Sequence, residues 1–176
     1  MRTCSNVSVV DGLLQNNAAY AARYRGPRPI EPALHLAVVA CMDSRLDVFG
    51  ALGLDVGEAH VIRNAGGVVT ADTIRSLAIS QCLLGTTEIV CIHHANCSVT
   101  SFGEDVLRQR ILEATGAEPQ FELEAFDDSA TAARESLRSI RESAVVPHRD
   151  NVRAFIFDEA TGLLREITER VRGDAG

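Results

Sequence analysis

"LHLAVVACMDSRLDVFG", residues 34–50, begins as an apolar run of strand length and ends in a cysteine, an aspartate and an arginine. A strand so continuously apolar belongs in the middle of a sheet covered on both faces. Three further runs have the same character: "EAHVIRN" (58–64), "EIVCIHH" (88–94) and "VRAFIFD" (152–158). Helical patterns lie between them, near 46–53, 71–84, 102–115 and 128–143. Apolar strands alternating with helices predict an α/β fold with a mostly parallel sheet. Ser101-Phe-Gly-Glu104 fits a capping box at the start of the third of these helices. After the last run, "EATGLLREI" predicts a turn leading into an edge strand.

Working outward, residues 9–24 space Val10, Leu13, Leu14, Ala18 and Ala21 as on a helix, and "RGPRPIEP" follows with three prolines. Proline fixes φ and disfavours helix in the residue before it, so this connector is extended and the helix is an arm. Whether the arm folds back on its own body or packs on a partner is open at this level.

The 176 residues suffice for one domain with its own core. The expected division is an arm and linker over 1–33 and an α/β core over 34–170. A net charge of −7, with Lys and Arg scattered, argues against a nucleic-acid surface. No segment has the roughly 18 to 20 apolar residues of a membrane span, and the amino terminus lacks a leader pattern, so the cytoplasm is expected. Five cysteines, at 4, 41, 82, 91 and 97, form no disulfide framework. No Cys-x-x-Cys redox pair occurs among them.

In open parallel sheets reactive groups collect beyond the carboxyl ends of the strands. Here those ends carry "CMDSR", "RNAGG" and "HHANC". Cys41 from one end, with His94 and Cys97 from another, offers two thiolates and an imidazole, a set that suits zinc and leaves a fourth position open. His93 competes with His94 for the imidazole role, and spacing favours His94 only slightly. Asp43 can reach the same metal, and Arg45 can hold that carboxylate in a bidentate pair. The plainer account of Asp43 and Arg45 is a structural ion pair near a helix start, and of Arg63 and Asn64 a loop before Gly66 and Gly67. Cys91 and Cys82 are expected to be core filler, Cys4 to lie in the terminus, and His35, His60 and His148 to have no role. "NAGGVVTAD" lacks the Gly-x-Gly-x-x-Gly spacing of a dinucleotide site.

Together, "CMDSR" (41–45), "HVIRNAGG" (60–67) and "HHANC" (93–97) resemble the β-class carbonic anhydrases, in particular their compact bacterial branch, which also contains carbonyl sulfide hydrolases. The resemblance implies four parallel strands with a fifth at the edge. It also implies a homodimer, or a dimer-based oligomer, whose amino-terminal helices pack across the partner. It assigns Cys41, His94 and Cys97 to zinc and makes Asp43 and Arg45 a catalytic dyad, with Asp43 able to swing onto the metal in a closed state.

The activity implied is reversible hydration of carbon dioxide to bicarbonate by a zinc-bound hydroxide that Asp43 orients. Hydrolysis of carbonyl sulfide or carbon disulfide at the same site is the alternative, and a non-catalytic zinc-binding homologue the second. Val68 and Leu46 compete as pocket wall or core. Two positions depart from the family pattern: Asn96 stands where an aspartate is common, and Ser98, followed by Val99, where a glycine is common.

Overall fold

The computed structural model describes residues 8–168. Its elements follow the order α1 (Val9–Ala21), β1 (Leu36–Cys41), α2 (Val48–Leu52), β2 (Ala59–Asn64), α3 (Ala71–Leu84), β3 (Glu88–His94), α4 (Glu104–Thr115), α5 (Ser129–Glu142), β4 (Val152–Phe157) and β5 (Leu164–Ile167). The strands form one sheet in the order β2-β1-β3-β4-β5, the first four parallel and β5 antiparallel to β4. The expected α/β architecture is what the chain adopts, edge strand included.

Alternation along the central strands divides the core. Ala37 and Val39 on β1 and Ile89 and Cys91 on β3 face α3 and α5, where Leu77, Ala133, Leu137 and Ile140 meet them. Val38, Ala40 and Ile92 face the other way, against Leu46, Val48 and Phe157. Leu46 is therefore core, whereas Val68 lines a cleft with Arg63, Asn64 and Phe121. No helix among the described residues is long and apolar enough to cross a membrane. The arm helix α1 buries none of its residues, and Val9, Val10, Leu13 and Leu14 are all exposed.

Two sequence expectations need correction. Helix α4 starts at Glu104 with Gly103 as its cap residue and no side-chain cap, because Ser98–Ser101 are taken up by a separate 3-10 turn. The carboxylate of Glu104 instead accepts from the backbone N–H of Leu123 and from Arg108, tying down the segment before α5. Cys82 is exposed and not core filler. On a helix each residue turns the face by about 100°, and α3 turns Leu77, Ser80 and Gln81 inward, which leaves position 82 outside.

Helix α5 has a true cap. Asp128 accepts from the Thr131 backbone N–H at 2.7 Å and from its hydroxyl at 2.8 Å. These bonds, the hydroxyl's first, hold the Asp128 carboxyl below its ordinary value. Asp128→Ala should therefore cost about 1 kcal/mol of stability at neutral pH. A depressed native pKa stabilises fully above the unfolded value of about 3.9 and is lost as pH falls through the native one. Urea melts at pH 7 and below pH 4 check this: the gap between variant and wild type should narrow on acidification.

Candidate metal centre

The site forms where β1, β2 and β3 end. Cys41 is the last residue of β1, His94 the last of β3, and Cys97 follows in the turn after β3. Their ligand atoms all lie within 4.8 Å of one another, and all three side chains are buried. Distance decides which histidine joins them, and it is His94. His94 shares the Ile92 face with Cys41 and Cys97, while His93 points to α5, where its Nε2 meets Ser136 Oγ at 3.1 Å. Burial pushes the His93 pKa down to about 4, so it is a neutral core side chain. Cys91, on the His93 side of β3, is pushed up to about 12 by burial and is an unreactive thiol.

The approach of the strands depends on a glycine. Gly67 has φ +68°, and a Cβ there would stand 2.7 Å from the Cys41 backbone nitrogen and 3.1 Å from the Ile92 carbonyl oxygen. Asn64 braces this turn by donating from Nδ2 to the Val68 carbonyl at 2.8 Å. Arg63 does more than form a loop. Its guanidinium donates to the carbonyl oxygens of Cys41, Asp43 and Leu46 at 3.0, 2.7 and 3.0 Å. That clamp shapes the segment that presents Cys41 and Asp43.

The donor set fits zinc. A tetrahedral ion with Zn–S bonds of about 2.3 Å sets its sulfurs about 3.8 Å apart. Cys41 Sγ and Cys97 Sγ are separated by 3.9 Å. His94 Nε2 is buried with no hydrogen-bond partner, which leaves its lone pair for an ion. The hydrogen bond between the two sulfurs pulls the Cys41 thiol down and pushes Cys97 up. Thiol ligands bind a metal as thiolates, so a lowered Cys41 favours binding and the protons still held are released as the ion enters.

Beside the triad, Asp43 and Arg45 form a bidentate pair. Arg45 Nε donates to Oδ1 at 2.9 Å and its terminal nitrogen to Oδ2 at 2.7 Å, while the Arg45 backbone N–H also donates to Oδ1 at 2.9 Å. The side-chain bonds from Arg45, then the backbone one, hold the Asp43 carboxyl well below the usual carboxylate range. Oδ2 lies 3.9 Å from His94 Nε2, so the carboxylate stands at the edge of the ligand cluster while held by arginine.

The structure adds Glu159, which the sequence reading missed. It lies just past β4, and its Oε1 is 2.6 Å from His94 Nδ1. Burial pushes the Glu159 pKa up, but the bonds from His94 and Asn96 outweigh that and keep it ionised. No local motif marks this residue, since it meets His94 only because β3 and β4 pair with His94 opposite Phe157. The two departures from the family pattern are also accommodated. Asn96 bonds to Glu159, and Ser98 begins a 3-10 turn. Among the described residues the non-glycine positions with positive φ are His35 and Glu124, so position 98 does not require glycine.

The chain is similar to known proteins over most of its length. The family model described as carbonic anhydrase matches residues 36–156. The chain is 49% identical over 162 residues to Beta-carbonic anhydrase 1 of Mycobacterium tuberculosis, covering 92% of this chain and 99% of that one. It is 33% identical over 150 residues to a carbon disulfide hydrolase of Acidithiobacillus thiooxidans, covering 74% and 75% respectively. The crystal structure of carbonic anhydrase from Streptococcus mutans superposes with a TM-score of 0.86 at 36% identity, covering 92% of this chain and 98% of that one. With the cysteine–histidine–cysteine cluster at its strand ends and these relatives along nearly its whole length, the chain belongs to the β-carbonic anhydrase family.

Proposed function

We propose that the protein is a zinc enzyme that reversibly hydrates carbon dioxide to bicarbonate. The observation that carries this is the adjacency of the buried Cys41–His94–Cys97 cluster to a carboxylate clamped by arginine, with Asp43 Oδ2 3.9 Å from His94 Nε2. Cys41, His94 and Cys97 would hold the ion, which when bound supplies acidity, bringing the pKa of water from about 15.7 to about 7.

The remaining work falls to the protein. Asp43, ionised at every pH at which the protein would function, can only accept. A water or hydroxyl group beside it must turn its hydrogen to the carboxylate and its lone pair away, toward an incoming electrophilic carbon. Arg45 holds Asp43 in that position. Released, the carboxylate could become a fourth ligand and close the site. Because two thiolates offset the charge of a divalent ion, this orienting contact matters more than it would beside three neutral imidazoles. A merely structural zinc site would have no use for the dyad, which weighs against a non-catalytic role.

Carbonyl sulfide or carbon disulfide hydrolysis is the second reading, favoured by the relative from Acidithiobacillus thiooxidans. The relative from Mycobacterium is closer and spans more of the chain, which favours carbon dioxide. One panel decides: metal content, carbon dioxide hydration and carbonyl sulfide hydrolysis on the same preparation. Hydration should dominate, and equal or greater efficiency on the sulfide would overturn the first choice. In Arg45→Ala, hydration should fall on the order of 100-fold with zinc retained, the scale that misplacement of a positioned group produces.

The exposed apolar face of α1 supports a dimer in which each arm covers the other copy. Ligand cysteines must stay reduced, which supports a cytoplasmic location.

A further inference from the structure

We propose that Glu159 is a positioning residue of the metal centre and that Asn96 enables it, the two together fixing His94 so that Nε2 faces the Cys41 and Cys97 sulfurs as a lone pair. This rests on the metal-site reading above and goes beyond it, since Glu159 lies outside the ligand set and the Asp43–Arg45 pair.

A carboxylate can only accept, so the 2.6 Å contact puts the imidazole hydrogen on Nδ1. In the neutral ring this leaves the lone pair on Nε2, the buried nitrogen without a hydrogen-bond partner. Without an acceptor at Nδ1 the ring could carry its hydrogen on Nε2, directed at the metal position, and could rotate about its own bond to Cβ.

Glu159 is itself held. Oε1 also accepts from the Asn96 backbone N–H at 3.0 Å, and Oε2 accepts from Asn96 Nδ2 at 3.2 Å. An aspartate at position 96 would set a carboxylate oxygen against Oε2 in place of that donor, and two like charges at this separation would drive Glu159 off His94. Asn96 also accepts from Arg45 through its carbonyl at 2.9 Å. One residue therefore links the Asp43–Arg45 pair to the His94–Glu159 pair.

The test compares full-length wild type with Glu159→Ala, Glu159→Gln and Asn96→Asp. Zinc affinity is measured by competition with a chromophoric chelator. The His94 tautomer is read from nitrogen NMR shifts of the metal-free protein, with His94→Gln identifying the resonance. Carboxylate partners of ligand histidines are worth about 10- to 100-fold in metal affinity. Glu159→Ala should lose that much and show hydrogen on Nε2. Glu159→Gln, whose amide oxygen still accepts from Nδ1, should recover part of the loss. Asn96→Asp should weaken zinc in the same direction.

If Glu159→Ala does not fold, the other two variants carry the test alone. Unchanged zinc affinity in Asn96→Asp, or a glutamine variant no tighter than alanine, overturns the proposal, as does a wild-type tautomer in Glu159→Ala. Those results with zinc bound normally by wild type would refute the role of Glu159 alone. Failure of wild type to bind zinc would instead refute the metal site.

Discussion

Replacing His94 by alanine is expected to strip zinc from the protein and bring hydration to background. The loss of affinity should be at least about 100-fold, exceeding what removal of an outer partner costs. The imidazole is the only nitrogen in the cluster, and two sulfurs alone cannot hold the ion in a three-ligand catalytic site. The change also removes the 2.6 Å donor of Glu159, leaving that carboxylate with its bonds from Asn96. Cys91→Ala is the control. It sits three residues earlier on the same strand, yet on the opposite face and buried in the other core cluster, so it should keep full zinc content. Metal analysis and chelator competition on both variants check the claim. A His94→Ala protein that binds zinc like wild type would mean the ligands are other residues.

The second large effect concerns a residue with no side chain. Gly67→Ala should destabilise the protein by about 2–6 kcal/mol, combining left-handed backbone strain of about 1–3 with overpacking of about 1–3. The added methyl would meet the Cys41 nitrogen at 2.7 Å, the Ala40 carbonyl carbon at 3.0 Å and the Ile92 oxygen at 3.1 Å. All three are backbone atoms of the central strands, which cannot yield as a flexible side chain would. Against a typical total of about 5–15 kcal/mol, such a loss is severe. Whatever protein folds should also bind zinc poorly, because relief must come from moving the backbone of Cys41. Gly53→Ala separates the two contributions, since Gly53 has φ +67° and open space around it. Thermal and urea melts should show Gly67→Ala losing clearly more. Equal losses would remove the steric argument.

Much of this molecule was legible in the chain because the signals are local. Four apolar strands separated by helical patterns predict a parallel sheet, and the observed β1, β2, β3 and β4 lie within the expected runs to within a residue or two. The closeness of Cys41, His94 and Cys97 was legible for a different reason. Parallel strands end on the same side of the sheet, so unusual residues at the ends of the adjacent strands β1 and β3 come close. Errors arose where neighbouring signals compete. Ser101 and Glu104 match a cap in spacing, but a 3-10 turn claims the serine. Cys82 is apolar by type, yet one residue too far round its helix to be covered.

By itself, then, the sequence determined the strand and helix pattern, the chemistry available at each strand end, and the family to which that chemistry belongs. Only the tertiary structure decided that His94 and not His93 faces the thiols, that Arg63 clamps the turn bearing Asp43, and that Glu159 and Asn96 stand behind the imidazole. The reason is physical: which face a residue takes depends on strand register, and a contact across 65 positions depends on which strands pair. A single sequence carries neither in its local pattern.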